Sequence, residues 1–387
     1  MRVLIVSHLW PRRGASYLGT WVPDQIRSLA RHCDISVAVP VDRTIRREEL
    51  IFHELLTGFK NYRHRSHPAL TPLQGISIDT VPYFGIIPRK VFATATAKNL
   101  ARSLNQIPLD GIDLVHVHTL FPDGLACALW LADKNIPLVA TTHSNDVLSD
   151  LGNLKKVLRT LFRRANALIV VCRAQGKALE TLGADPNKIH IIPNGFLKED
   201  YERINDTHRS PTKIAYLGRL HFVKRVDLLI RALAECSPEI SLDIGGDGPE
   251  QRNLESLVKR LGLMDRIRFR GSVLRADVPQ FLAGVALLCL VSNREGWPTV
   301  IHEALACGTP VLATVVGGVP EALADPRLGA LLPANISPEK LAETIESSLK
   351  NNWDRGYIKR HAFRYTWEEI TIQLVSTYRS LLNPRGP

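Results

Sequence analysis

The sequence predicts an α/β protein of two doubly wound, parallel-sheet domains, and three observations predict it. Short apolar runs alternate with longer helical patterns from end to end, the pattern of strands joined by crossover helices. The 387 residues, 45% hydrophobic and 22% charged, suffice to bury two cores and exclude a disordered or fibrous chain. Between the halves lies a polar, charged stretch, 198–212, with Pro211 just ahead of a new apolar run, which reads as a hinge.

In chain order, residues 3–6, 35–39, 76–81, 114–118, 138–142, 168–171 and 190–192 read as buried strands of the first half. Runs 213–217, 242–244, 267–269, 287–291 and 311–314 repeat the pattern in the second, separated by helices such as 226–236 and 251–261. Alternation of this kind implies a parallel sheet in each half. A helix over 353–363 and another over 367–382 close the chain.

Six cysteines, Cys33, Cys127, Cys172, Cys236, Cys289 and Cys307, stand singly in apolar contexts with no Cys-x-x-Cys pair, and read as reduced core residues of a cytoplasmic protein. The opening Met-Arg-Val-Leu-Ile-Val-Ser-His passes from one arginine straight into a strand, without the apolar core and cleavage site of an export signal. The longest apolar stretch, 281–291, falls short of the roughly 20 residues of a membrane-spanning helix, so a soluble or peripheral protein is expected.

Of the net charge of +11, residues 1–195 contribute +9, from 24 Lys/Arg against 15 Asp/Glu. A lobe so basic faces something acidic: an anionic membrane surface, a diphosphate-linked lipid, or nucleic acid. No zinc-finger or RNA-recognition signature supports nucleic acid, and none is expected as a partner. Lys155, Lys156, Arg159, Arg163 and Arg164 share a helical pattern with Leu151, Leu154, Val157, Leu158, Leu161 and Phe162, which serves equally for lying at a membrane surface or for packing on a core. Arg43, Arg46, Arg47, Lys60, Arg63 and Arg65 form a second basic region open to both readings.

The segment richest in chemistry is Arg294-Glu-Gly-Trp-Pro-Thr-Val-Ile-His-Glu-Ala-Leu-Ala-Cys-Gly-Thr-Pro310, where a tight turn feeds a helix and Glu295 and Glu303 stand eight positions apart. An ionised carboxylate accepts two hydroxyl hydrogen bonds at once, which suits sugar and ribose. Between the two lies a helix N-terminus, whose N–H groups lack intrahelical partners and favour an anion such as a diphosphate. Two solvated glutamates on a surface helix are the competing reading. The rest of the segment, through Gly317-Gly-Val-Pro-Glu321, adds a strand, a glycine turn and a helix start.

Glu295-Gly-Trp-Pro, Glu303-Ala-Leu-Ala-Cys-Gly-Thr-Pro-Val and Gly317-Gly-Val-Pro-Glu321 resemble the hallmark block of glycosyltransferase family 4, retaining enzymes of the GT-B fold. The resemblance implies two facing Rossmann-like domains with an interdomain cleft: an acceptor-binding domain over 1–198, a nucleotide-sugar-binding domain over 199–365, and a last helix, 366–387, crossing back to the first. It spans nearly the whole chain and is weakest over 41–110.

By the same resemblance Glu295 holds the donor sugar's hydroxyls and Glu303 the ribose, with backbone N–H groups of Gly296, Trp297, Thr299 and Val300 on sugar and phosphate; Pro298 has no N–H to give. Leu217-Gly-Arg-Leu-His-Phe-Val-Lys-Arg-Val-Asp227 places Arg219 and Lys224 on a loop between strand and helix, where two cations clamp a diphosphate and neutralise the leaving group. Arg225 stands where relatives carry glycine, either tilting this loop or simply adding charge. Val273 matches the residue whose backbone meets the nucleobase, a contact that says nothing about which base. The turn Gly245-Gly-Asp-Gly248 reads as structural.

In the first half, Asp113-Leu-Val-His-Val-His-Thr-Leu-Phe-Pro-Asp-Gly124 ends a strand with His116 and His118 on one face. His118 matches the histidine that relatives aim at the donor sugar, and His116 reads as packed. No acidic or cysteine cluster completes a metal site and no Asp-x-Asp triplet occurs, so no metal is expected. Thr142-His-Ser-Asn-Asp146 resembles the family's His-Gly-x-Asp with Ser144 in place of glycine, making His143 and Asp146 acceptor-side candidates. Gly14 and Gly19 are spaced wrongly for a dinucleotide fingerprint, and the resemblance instead implies a mobile loop near the acceptor and the donor phosphate. Trp10, Tyr17 and Trp21 either stack on a sugar or fill the core.

The function implied is transfer of a hexose-type sugar, with retention and without metal or other cofactor, from a nucleotide-diphosphate sugar to a glycan or lipid-linked acceptor. Surface polysaccharide or lipopolysaccharide assembly, in the cytoplasm or on the inner face of the cytoplasmic membrane, is the setting expected. Two other classes fit the architecture. A nucleotide-sugar epimerase needs acid and base groups placed for elimination, and a silent GT-B scaffold has no use for an intact Arg219, Lys224, Glu295 and Glu303.

Overall fold

The computed structural model describes residues 1–11, 19–44, 73, 75–86, 91–143, 154–204 and 209–383. Of the residues singled out above, Gly14, Tyr17, Arg46, Arg47, Lys60, Arg63, Arg65, Ser144, Asp146 and Leu151 lie outside these. The chain forms two compact units, Met1–Pro193 with Ile370–Pro387, and Asn194–Glu369.

The first unit carries β1 (Arg2–Val6), β2 (Asp34–Asp42), β3 (Ser77–Tyr83), β4 (Leu114–Val117), β5 (Leu138–Thr142), β6 (Ala167–Val170) and β7 (Ile189–Ile191) in the order β3-β2-β1-β4-β5-β6-β7. Every pairing is parallel, with Val3 opposite Ile35 on one side and Leu114 on the other. Strands β4, β5 and β6 are buried at every residue, which is why they read as mainly apolar runs rather than alternating ones. Helices α1 (Trp21–Leu29), α2 (Ala93–Leu104), α3 (Leu125–Trp130), α4 (Lys155–Arg164) and α5 (Arg173–Leu182) flank the sheet.

Helix α4 settles one of the open readings. Leu154, Leu158, Leu161 and Phe162 are buried in one cluster with Leu100, Leu125 and Val117, so the apolar stripe is spent on the core. Each such side chain contributes about 1.5–3 kcal/mol by leaving water. Arg164 donates to the carbonyls of Leu131, Lys134 and Ile136 at 2.9, 3.0 and 2.7 Å, just beyond the C-terminal end of α3. Exposed charge remains at Lys156, Arg159 and Arg163.

In the second unit β8 (Ser210–Leu217), β9 (Ser241–Gly245), β10 (Ile267–Gly271), β11 (Val285–Leu290), β12 (Val311–Thr314) and β13 (Gly329–Leu332) lie in the order β10-β9-β8-β11-β12-β13, again all parallel. Strand β13 escapes the sequence reading because Gly-Ala-Leu-Leu is four residues long and holds no β-branched or aromatic side chain. Helices α6 (Val226–Glu235), α7 (Gln251–Arg260), α8 (Val278–Ala283), α9 (Thr299–Ala306), α10 (Val319–Ala322), α11 (Pro338–Lys350) and α12 (Arg355–Ala362) complete it. In the turn after β9, Gly246 has φ +124°, and a Cβ there would stand 1.9 Å from the Gly218 carbonyl oxygen, so this glycine serves the backbone.

Helix α13 (Trp367–Leu382) belongs to the first unit from Ile370 onward, where Tyr378 is fully buried. All six cysteines are buried, with no disulfide among them. Among the described residues no helix is long and apolar enough to cross a membrane.

Each sheet has one point where the strand order reverses: between β1 and β4 in the first unit, and between β8 and β11 in the second. Adjacent parallel strands whose connections leave in opposite directions open a crevice at their carboxyl ends, which is where ligands of doubly wound sheets bind. The residues singled out from sequence fall largely on the loops that follow these four strands.

Candidate active site

In the second unit the loops after β8 and β11 meet, tied by Asn293 N–H donating to the Val223 carbonyl at 2.7 Å. Lys224 Nζ stands 2.8 Å from both Glu295 oxygens, and Ser292 Oγ donates to Oε1 at 2.6 Å. Glu295 is only 9% exposed, so its charge is held by this ammonium and hydroxyl rather than by water. The sequence reading gave Lys224 and Glu295 to different parts of a ligand; the structure joins them as an ion pair. Arg219, two residues past the end of β8, is exposed, and among the described residues no side-chain partner holds its guanidinium.

The loop after β11 runs through Gly296 into α9. Gly296 accepts from Gly318 N–H at 2.8 Å, which docks the turn against the glycine pair following β12. Pro298 caps α9 without a side-chain hydrogen bond, leaving the first N–H groups, at half-buried Thr299 and Val300, without intrahelical acceptors. The Trp297 ring is buried; its indole donates to the Asn194 carbonyl at 3.1 Å and stacks on His302 with centroids 5.0 Å apart. His302 stacks in turn on Tyr365 at 4.0 Å, and burial, then His361, lowers its pKa to about 3. This column of neutral rings supports the turn from behind, and Trp297 presents backbone rather than ring to a ligand.

Glu303, half-buried one turn into α9, is hydrogen-bonded by the Tyr201 hydroxyl. Tyr201 is 3% exposed; burial foremost, with Glu303 adding to it, pushes its phenol well above the ordinary value and keeps it a proton donor. Tyr201 lies in the stretch read as a hinge and was not singled out from sequence. Val273, half-buried beyond β10, sits against the bare face of Gly245.

In the first unit His118 follows β4, its N–H donating to the Val6 carbonyl at 3.1 Å across the switch point. Its Nδ1 lies 3.0 Å from His143 Nε2, with the rings parallel to within 2°. His118 Nε2 is buried and has no hydrogen-bond partner among the described residues. Burial, then His116 and His143, holds its pKa well below the usual value, which favours the neutral ring. His116 is packed, as read: Tyr378 Oη stands 2.6 Å from its Nδ1 and Thr141 Oγ1 2.6 Å from its Nε2, with the pKa lowered to about 3. Among the described residues no group of three or more His, Cys, Asp or Glu is arranged to hold a metal ion.

A pair the sequence reading missed lies at the same switch point. Asp123, fully buried, accepts from His8 N–H at 2.8 Å and lies 2.8 Å from His8 Nδ1, linking the loops after β1 and β4. Asp123 Oδ1 is buried without a hydrogen-bond partner among the described residues. Its one signal in the sequence is its place five residues after His118. Trp10 is 1% exposed and belongs to the core, whereas Trp21 is half-buried with its ring 5.9 Å from His143. Gly19 has φ +68° and lets the chain pass against the Leu9 backbone, where a Cβ would come within 2.5 Å.

Comparison with known proteins agrees with this layout. Residues 198–368 match glycosyl transferases group 1, and residues 19–196 match glycosyltransferase family 4. The D-inositol 3-phosphate glycosyltransferase of Mycobacteroides abscessus is 30% identical over 309 residues, 71% of this chain and 68% of that protein. The chain belongs to glycosyltransferase family 4. Its similarity extends to an uncharacterized glycosyltransferase of Methanocaldococcus jannaschii, 26% identical over 89% of this chain and 94% of that one. Against the protein of the first name in Mycobacterium marinum, 29% identical over 69% of this chain, it spans 63% of the relative's length. The crystal structure of Anabaena HepE with UDP and glucose covers 98% of this chain and 100% of its own at TM-score 0.73 and 21% identity, a likeness of GT-B fold.

Proposed function

We propose that this family 4 protein transfers a sugar from a nucleotide-diphosphate sugar to a hydroxyl acceptor, with retention at the anomeric carbon and without a metal. The observation that carries the reading is the placement of Arg219, the Lys224–Glu295 pair and the open N-terminus of α9 on the loops that follow β8 and β11, at the switch point of the second sheet. Cations and helix N–H groups neutralise a departing diphosphate, while carboxylates bind polyols. Glu295 takes the donor sugar's hydroxyls, and Glu303, steadied by Tyr201, takes the ribose. His118, neutral and with one ring nitrogen unpartnered among the described residues, accepts or donates a hydrogen bond at the sugar.

In this reading the acceptor hydroxyl approaches on the side from which the diphosphate departs. The new C–O bond forms as the bond to the diphosphate breaks, its electron pair leaves on the phosphate oxygen, and that oxygen takes the hydroxyl proton. No enzyme nucleophile is required. The Anabaena neighbour holds UDP and glucose, which makes UDP-sugars the donors to test first. The +9 charge of residues 1–195 favours a diphosphate-linked lipid acceptor at the inner face of the cytoplasmic membrane, in assembly of a surface glycan.

A panel of UDP-, GDP- and ADP-sugars, incubated with and without lipid-linked sugars and read by mass spectrometry, tests this. Nucleoside diphosphate released only when acceptor is present, with an α-linked donor giving an α-linked product by NMR, is the result expected. Isomerised donor in the absence of acceptor, or no turnover with any pair, would contradict it.

A further inference from the structure

Arg225 is the one non-glycine residue with a clearly positive φ among the described residues, at φ +51° and ψ +39°. Left-handed backbone is disfavoured for any residue with a Cβ and persists only where the surroundings over-determine it. The position is a junction: the short turn Phe222–Lys224 ends there and α6 begins. A glycine would make the same junction without strain. What arginine adds is a tether.

Its Nη1 donates to Asn293 Oδ1 at 3.1 Å and to the Ala334 carbonyl at 2.5 Å. Asn293 is thereby held at both ends, its N–H by Val223 at 2.7 Å and its amide oxygen by Arg225. Val223 and Arg225 flank Lys224, and Asn293 stands two residues before Glu295. The tether therefore brackets the Lys224–Glu295 pair on both of its loops. A guanidinium suits the task, since its planar fork aims several N–H groups in fixed directions where an ammonium is a point charge.

We propose that Arg225 is a positioning residue of the donor site. It fastens the loop after β8 to the loop after β11, so that Lys224 and Glu295 meet the donor already aligned. The inference rests on the function proposed above. It makes backbone strain at Arg225 the cost of a pre-formed site, and separates the effect of that strain on stability from the effect of the tether on activity.

The test compares Arg225→Gly, Arg225→Lys, Asn293→Ala and the Arg225→Gly/Asn293→Ala double variant with the wild type. The readouts are melting temperature, UDP affinity by calorimetry, and kcat and KM with the donor that supports transfer. Arg225→Gly loses two hydrogen bonds and relieves the strained backbone, so its melting temperature stays close to wild type. Its UDP affinity falls about fivefold and its kcat/KM about tenfold, because untethered loops must be ordered by the donor. Asn293→Ala moves the same way, the double variant is no worse than Arg225→Gly because both remove one tether, and Arg225→Lys recovers part of the loss. Wild-type affinity and kinetics in Arg225→Gly, or additive losses in the double variant, would overturn the inference alone. Failure of the wild type to bind any nucleoside diphosphate would overturn the donor-site reading, and this inference with it.

Discussion

Replacing Lys224 by methionine keeps the aliphatic stem and removes the ammonium that both oxygens of Glu295 face at 2.8 Å. At that separation two unit charges attract by about 6 kcal/mol for an effective dielectric of 20, before the cost of taking either out of water. Most of this is offset by desolvation, but removing one partner of a buried pair leaves the other stranded, typically at about 3–5 kcal/mol. Lys224 is 25% exposed and Ser292 Oγ still donates to Glu295, so the expected loss is smaller, about 2 kcal/mol. In the unit Asn194–Glu369 this lowers the melting temperature by about 4–8 °C. Thermal and urea unfolding of Lys224→Met, Glu295→Gln and the double variant measure it. The double variant should lose less than the two single losses combined, because no carboxylate is stranded in it. A Lys224→Met loss below about 0.5 kcal/mol, or strict additivity, would refute the idea that the pair is held as a unit.

Three further outcomes follow from the same geometry. Arg219→Ala, at an exposed side chain with no protein partner among the described residues, should leave stability within about 0.5 kcal/mol while lowering kcat at least tenfold; steady-state kinetics and melting together check it. Tyr201→Phe removes the hydroxyl that steadies Glu303 and should weaken UDP binding about tenfold in calorimetry, with unchanged affinity counting against the ribose role. His116 and His302, each lowered to about 3, and His118, also lowered, stay neutral in the folded chain while the unfolded chain takes up protons below about pH 6.5. Their contribution to stability is therefore complete above about pH 6.5 and lost on acidification, by up to about 1.4 kcal/mol per pH unit for each, which a melting temperature constant from pH 7.5 to 5 would contradict.

The fold was legible because parallel strands buried on both faces announce themselves as apolar runs. All twelve runs read from sequence coincide with strands, and the exception, β13, lacks the residue types that mark a strand. Individual candidate residues could be singled out where they sit within a motif, as with Glu295, Glu303 and His118. Pairings were not. Lys224 and Glu295 are 71 residues apart, and His8 and Asp123 are 115 apart, so nothing local signals that each pair meets; only the strand order brings their loops together. Tyr201 was hidden for a different reason: it lies in a polar stretch whose composition reads as hinge, yet its own side chain is buried. The amphipathic pattern of α4 was ambiguous because a stripe of leucines looks the same whether it meets a core or a membrane, and only the packing distinguishes them. Arg225 marked a departure at the level of sequence, but its meaning depended on a backbone angle and on partners 68 and 109 residues away.

The most direct test of the account is a crystal structure of the protein with a UDP-sugar bound. The account predicts the diphosphate against Arg219, Lys224 and the first N–H groups of α9, the ribose hydroxyls on Glu303, and the sugar on Glu295. A diphosphate lodged away from the loops that follow β8 and β11, with Glu303 facing solvent, would contradict it.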